Sequence, residues 1–175
     1  MYSRQYYFEL CNASLDKLFL RDEDVRKYRG AMPPTFDVLN QLAKGLEFIH
    51  SSKLFHRDIK PQNVLIRMNP KNEEASMKWA DFGLSKRAHE KRTCTTSEVT
   101  GTCHKWLGPE LLKFLDNSQT VKSEVFAEGL VFSYYLMDGQ HPKLVVTLEN
   151  FTISVDRTDT LTNQNSKSIY TFNYI

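Results

Sequence analysis

The sequence predicts an α+β fold, mainly helical with a small β element. Three observations point to it. Apolar residues recur at helical spacing across 35–51, and a second stretch, 120–137, is apolar on most of its circumference. Between them, "NVLIRM" and "SMKWA" are two short runs of β composition on either side of the polar turn "NPKNEEA". With 175 residues, 41% hydrophobic and 25% charged, the chain suits one soluble globular domain or a large piece of one, and is long enough to bury a core.

Taken in chain order, "RQYYFELC" (4–11) is aromatic and apolar and predicts a strand. Ser14 opens a short amphipathic helix carrying Leu15, Leu18 and Phe19. After a charged loop and Pro33-Pro34, the residues Phe36, Leu39, Ala43, Leu46 and Ile49 mark a helix from Thr35 to Ser51, with Val38 and Leu42 widening its apolar stripe. The strand pair follows, bracketed by Asn63 and leading into Asp81. From Thr120 to Met137, Val121, Val125, Phe126, Leu130, Val131, Tyr134 and Leu136 predict a buried helix. From Lys143 onward the chain turns rich in Thr, Asn and Ser without helical period. "LVVTLENFTISV" there has strand-forming composition, and this tail is expected to pack poorly.

Charge and cysteine usage exclude several classes. With 23 basic and 21 acidic residues the net charge is +2, so no global field draws the chain to nucleic acid or anionic lipid, and direct nucleic-acid binding is not expected. Cys11, Cys94 and Cys103 are odd in number and form no CxxC pair, which argues against a disulfide framework or a zinc site and for a reducing compartment. The N-terminus lacks a secretory apolar region, and no run approaches the roughly 18 apolar residues of a membrane helix. The expected setting is cytoplasmic.

The chemistry concentrates in "FHRDIKPQNVLI", Phe55 to Ile66. Taken alone, "HRD" reads equally well as a solvated charge cluster, and "DFG" (Asp81, Phe82, Gly83) as a turn after a strand. "HRDIKPQN", "DFG" and then "GPE" (108–110) occur in the order used by protein kinases, and the chain resembles that family. The resemblance implies ATP and Mg²⁺ as cofactors and a protein hydroxyl as acceptor. Phosphoryl transfer needs an oriented hydroxyl and neutralised charge on the γ-phosphoryl oxygens. By resemblance, Asp58 accepts or orients the hydroxyl proton, Lys60 sits against the γ-phosphate, and Asn63 and Asp81 hold the magnesium ions as hard oxygen ligands. Lys60, two residues after Asp58, is the serine/threonine-kinase pattern. His56 is implied to be a packing residue. Arg57 is implied to pair with a phosphate on the segment holding Thr93, Thr95, Thr96, Ser97 and Thr100, whose bland alternatives are a surface salt bridge and an ordinary hydroxyl-rich loop.

"FELCNASLDKLF", "LFHRDIKPQNVLI", "ADFGLSKR" and "FAEGLVFSYYLMDGQHP" are similar to the inositol-requiring kinase/endoribonuclease group of the unfolded-protein response and its relative ribonuclease L. This likeness implies a partial kinase domain over 1–142, from hinge to second long helix, with 143–175 an unassigned tail. Phe8 would be the gatekeeper, Glu9 to Cys11 the hinge whose backbone contacts adenine, and Leu65 the floor under the base; otherwise these are strand and core residues. Departures from the pattern count as well. The small lobe is expected to be absent, since no glycine-rich loop, "VAIK" lysine or helix-C glutamate occurs in the sequence. Gly108 replaces an alanine, "GTCHKW" carries an extra residue between Thr102 and Trp106, and Glu124 stands where the family has an aspartate that supports the catalytic loop, its extra methylene putting that support in question. The arginine that pairs Glu110 in the family and a ribonuclease domain are also expected to be missing. The expected function is a serine/threonine kinase domain, weak or inactive in isolation. A pseudokinase serving as a binding or dimerisation module, or a nonfunctional fragment, is the alternative. Expected partners are ATP, a protein substrate and a second copy in a homodimer, at the cytosolic face of the endoplasmic reticulum if the chain is part of a longer protein.

Overall fold

The computed structural model describes residues 9–70, 74–87, 93–95, 103–108, 111, 118–146, 151–157 and 166–172. Of two long helices, α1 (Thr35–Ser51) packs on a small sheet, and α2 (Val121–Leu136) packs on α1. The sheet has the order β1 (Ala13–Ser14), β3 (Val64–Met68), β4 (Ala75–Trp79), all antiparallel. Two further pairs join β2 (Leu54–Phe55) to β5 (Lys86–Arg87), and β6 (Thr93–Thr95) to β7 (Ser118–Thr120).

β3 and β4 form the hairpin read from the sequence. Met68 faces Ala75 in register, and Asn69 N–H donates to Glu74 O at 2.9 Å to close the turn, of which 71–73 lie outside the described residues. The strands alternate: Val64 and Ile66 on β3, and Ala75, Met77 and Trp79 on β4, are buried while their neighbours face outward. Two polar bonds fix this hairpin on α1: Trp79 Nε1–H donates to Leu42 O at 3.0 Å, and Met77 N–H to Gln41 Oε1 at 2.8 Å. The contact is close enough that a Cβ on Gly45 would come within 2.9 Å of the Trp79 ring, so only glycine fits there without displacement.

The buried stripe of α1 is Val38, Leu42, Leu46 and Ile49, whereas Phe36 is 76% exposed and Ala43 also faces outward. The sequence stripe was therefore centred one residue column away. Val38 and Leu42, counted as its edge, form its middle, because they face Trp79 and the second helix through the shared core. Each fully buried Leu of this kind contributes about 1.5–3 kcal/mol relative to exposure.

α2 begins at a reciprocal cap: Thr120 Oγ1 accepts from Ser123 N–H at 3.1 Å, and Ser123 Oγ accepts from Thr120 N–H at 2.9 Å. Ala127, Leu130 and Val131 enter the core, and so do two carboxylates, Glu124 and Glu128. Val125 and Leu136, expected inside, are half exposed. At its C-terminal end Tyr134 and Tyr135 meet Phe19 edge-on at 5.4 and 5.9 Å. Gly139, at φ 84°, lets the chain turn there, where a Cβ would strike Phe19.

Two expectations near the N-terminus change. Residues 9–11 are irregular rather than strand, and 4–8 lie outside the described residues. The helix opened by Ser14 is a single 3-10 turn, Leu15–Phe19. In the tail, β8 (Lys143–Val146), β9 (Phe151–Arg157) and β10 (Ser166–Phe172) form an antiparallel meander, so the strand composition of "LVVTLENFTISV" is realised in the backbone. The side-chain packing expected to be poor falls outside the described residues. No helix among them is long and apolar enough to cross a membrane.

Candidate active site

The candidate site is the loop between β2 and β3, closed by the turn after β4. Pro61 opens a 3-10 turn, Pro61–Asn63, where its missing N–H costs nothing and its fixed φ suits the bend. This turn swings Asn63 back onto Asp58: Asn63 Nδ2–H donates to Asp58 Oδ2 at 2.7 Å and to Asp58 O at 2.8 Å. Lys60 Nζ donates to the same Oδ2 at 2.5 Å. One buried carboxylate oxygen thus collects an ammonium and an amide within five residues. With its nitrogen turned to Asp58, the Asn63 amide presents its oxygen on the other side.

Asp81 is brought to this cluster by its neighbour. Ala80 N–H donates to Asn63 O at 2.8 Å, and Ala80 O accepts from His56 Nε2 at 2.9 Å, which pins the start of the turn to the loop. Asp81 itself is exposed and left-handed (φ 63°), its carboxylate accepting from Gly83 N–H at 3.3 Å. His56 is fully buried, and its two bonds define a neutral ring: Nε2–H donates to Ala80 O, and Nδ1 accepts from Asp58 N–H at 3.3 Å. Burial lowers its pKa from 6.5, in agreement with that tautomer. Phe82 lies against the same ring at 4.8 Å. The packing role expected of His56 is realised and extended, since the ring also ties the two motifs together.

Arg57 sits at φ 71°, a left-handed conformation costing roughly 1–3 kcal/mol for a non-glycine residue. Its backbone N–H donates to Glu124 Oε1 at 2.6 Å, and Glu124 Oε2 meets His50 Nε2 at 2.7 Å. The longer glutamate therefore reaches the loop. Arg57 Nη1 donates to Leu84 O at 3.2 Å, while Nε is buried with no partner among the described residues. Backbone at Thr93–Thr95 is strand β6. Thr96, Ser97 and Thr100 lie outside the described residues, as do Thr102, Pro109 and Glu110. The stretch with the extra residue forms a 3-10 turn at Cys103–Trp106, and Trp106 is buried against Tyr134 at 5.6 Å and His141 at 4.5 Å.

Residues 9–12, of which 9–11 are expected to form the hinge, are tied to β3. Asn12 N–H donates to Ile66 O, and Asn12 Oδ1 accepts from Met68 N–H, both at 2.8 Å, so 9–12 are stitched to the strand that carries Leu65. Glu9 bridges Arg67 (2.6 Å) and Lys78 (2.7 Å), and the bond from Lys78, more than any other influence, lowers its pKa. Cys11 Sγ points to Glu9 O at 3.7 Å. Phe8 lies outside the described residues. A separate cleft of about 650 Å³, lined by Leu18, Phe19, Tyr28, Met32 and Tyr135, contains none of the motif residues.

Among the described residues no group of three or more His, Cys, Asp or Glu side chains forms a cage for a metal ion. Asn63 and Asp81 offer two hard oxygens. That donor set fits Mg²⁺, which keeps several waters and takes its other ligands from a phosphate. Two site residues escaped the sequence reading. His50 closes α1 on Glu124, and Glu128 is a second buried acid one turn along α2. The available signal for Glu128 was an acid on the inner face of an otherwise apolar helix.

A sequence profile described as the protein kinase domain matches residues 4–171. "Serine/threonine-protein kinase/endoribonuclease ire-1" of Caenorhabditis elegans is 36% identical over 143 residues, covering 79% of this chain and 14% of the relative. "Serine/threonine-protein kinase/endoribonuclease IRE2" of Homo sapiens is 38% identical over 137 residues, covering 77% and 14%. "Probable serine/threonine-protein kinase roco6" of Dictyostelium discoideum is 38% identical over 109 residues, covering 58% and 5%. The chain spans a small fraction of the length of these curated relatives, and with a profile matched over nearly all its residues it belongs to the protein kinase family.

Proposed function

We propose that this chain supplies the large-lobe half of a serine/threonine protein kinase of the inositol-requiring type, acting on protein hydroxyls in unfolded-protein-response signalling. The observation that supports this most is the convergence of Lys60 and Asn63 on Asp58 Oδ2, with Asp81 tethered alongside through Ala80. In this reading Asp58 orients the acceptor hydroxyl and takes its proton, Lys60 places a cation beside the transferred group, and Asn63 and Asp81 would hold Mg²⁺ through their side-chain oxygens. Bound Mg²⁺ and ATP supply the phosphoryl group and the neutralising charge. Glu9 to Cys11 and Leu65 hold the adenine, in a hinge braced by Asn12 on β3. We assign the kinase core to 1–142 and leave 143–175 without a role. A protein substrate and a second copy of the chain as partners belong to this reading, as does a place at the cytosolic face of the endoplasmic reticulum within a longer protein.

No glycine-rich loop and no lysine strand to grip the α- and β-phosphates occur among these 175 residues, so the chain by itself is expected to be weak or inactive. This favours a second reading, a noncatalytic binding module. Phosphorylation of a generic serine/threonine substrate by the isolated chain, and by its fusion to a related small lobe, separates the two. Activity in the fusion that is lost in Asp58→Asn supports the kinase reading. A fusion that folds and binds nucleotide yet transfers nothing supports the module.

A further inference from the structure

Glu128 plays no part in the chemistry above, yet it is buried in the heart of the helix pair. Its side chain lies on α2 one turn beyond Glu124, only 7% exposed, and its Oε1 has no hydrogen-bond partner among the described residues. Ionising a carboxyl group that holds a buried oxygen without a hydrogen-bond partner is costly. The groups acting on it are few: His50 from α1 and Glu124 from its own helix. The remaining ionisable residues of the elements packed on α2 do not relieve it. On α1, Asp37, Lys44 and Glu47 face outward. β7 carries none, Lys105 of the 103–106 turn is exposed, and the loop under α2 brings Arg57, whose Nη1 donates to Leu84 O, and Asp58, which accepts from Lys60 and Asn63.

We propose that Glu128 is a proton-operated latch on the catalytic loop, closed when its carboxyl is neutral and loosened when the proton leaves to solvent. In the neutral state His50 is undivided in its bond to Glu124, and Glu124 holds the strained Arg57 backbone at 2.6 Å. In the ionised state a second negative charge stands one turn from Glu124 in a dry site. The new carboxylate then competes for the His50 N–H or draws in water, and either change weakens the brace under Arg57. Burial raises the Glu128 pKa from 4.5 to about 7, with Glu124 adding to the rise and His50 opposing it, so the transition falls in the physiological range.

The sign follows from linkage. Between 4.5 and about 7 the unfolded chain gives up this proton while the folded chain keeps it, so stability falls as pH rises through that window and is flat above it. The test uses the full chain and its Glu128→Gln form, which keeps the shape without the charge. The ratio of their unfolding constants, wild type over variant, is expected to rise on the order of a hundredfold from the acid to the alkaline side of the window. The protection factor of the Arg57 amide against hydrogen exchange is expected to drop over the same range in the wild type and to stay level in Glu128→Gln. A ratio that stays constant, or an Arg57 protection factor with the same pH course in both proteins, overturns the proposal. If the variant does not fold, carboxyl-carbon NMR of the wild type decides: a glutamate titrating near 7 together with the Arg57 change supports the latch, and titration of every glutamate below 5 overturns it.

Discussion

Arg57 N and Glu124 Oε1 lie 2.6 Å apart, joining the strained backbone of the loop between β2 and β3 to a fully buried carboxylate of the second long helix. The bond answers the question raised by the extra methylene of Glu124. The longer side chain spans the gap and leaves its second oxygen for His50.

Replacing Glu124 with Ala orphans the Arg57 N–H and the His50 ring. The expected loss is about 1–3 kcal/mol for each buried donor left unpaired. Glu124→Asp keeps an acceptor on a shorter arm and is expected to lose less than Ala. Chemical denaturation of the three proteins checks the order, and an alanine form as stable as the wild type would remove the brace from consideration.

Leu46 and Phe36 separate the structural stripe of α1 from the sequence stripe. Leu46 is 1% exposed and Phe36 76% exposed. Leu46→Ala is expected to cost about 2–5 kcal/mol, and Phe36→Ser to fall within about 0.5 kcal/mol of the wild type. Equal losses in thermal melts would mean that Phe36 is covered in solution.

That contrast shows what the sequence could and could not disclose. The bounds of both helices and of the β3–β4 hairpin were legible, because periodicity and turn residues are local signals. The face of α1 was read one column off because Phe36, Leu39, Ala43, Leu46 and Ile49 and the column Val38, Leu42, Leu46, Ile49 are both helical, and only the position of Trp79 chooses between them. Asp58, Lys60, Asn63 and Asp81 were legible as a spaced motif. His50 and Glu128 were not, since their significance depends on a partner 74 residues away in one case and on a missing partner in the other.

His56 carries a second pH effect, on the acid side. Burial holds its pKa below 6.5 and the fold keeps the ring neutral. As pH falls below 6.5 the unfolded chain takes up this proton before the folded chain does, so the His56 contribution is lost toward acid. The stability difference between the wild type and His56→Gln is therefore expected to shrink as pH drops below 6.5, measured by denaturant titration at several pH values. A constant difference would show that folding leaves the His56 pKa unshifted, and a difference that grows toward acid would show that the ring is charged in the folded state.

Lys60 and Asn63 meet on a single oxygen, Asp58 Oδ2, at 2.5 and 2.7 Å, and that sharing makes a kinetic prediction for the chain fused to a related small lobe. If both residues act by fixing one carboxylate, removing either frees it, and removing the second adds little. Lys60→Ala and Asn63→Ala are each expected to lower kcat by about a hundredfold or more, the scale of a lost transition-state contact. The double variant is expected to fall well short of the product of the two losses. Asn63 has a further duty in the proposed Mg²⁺ site, so its variant alone is expected to require more Mg²⁺ for half-maximal rate, while Lys60→Ala keeps the wild-type requirement. Multiplicative losses would mean that the two side chains act on separate atoms in the transition state, and an unchanged Mg²⁺ requirement in Asn63→Ala would take the amide oxygen out of the metal site.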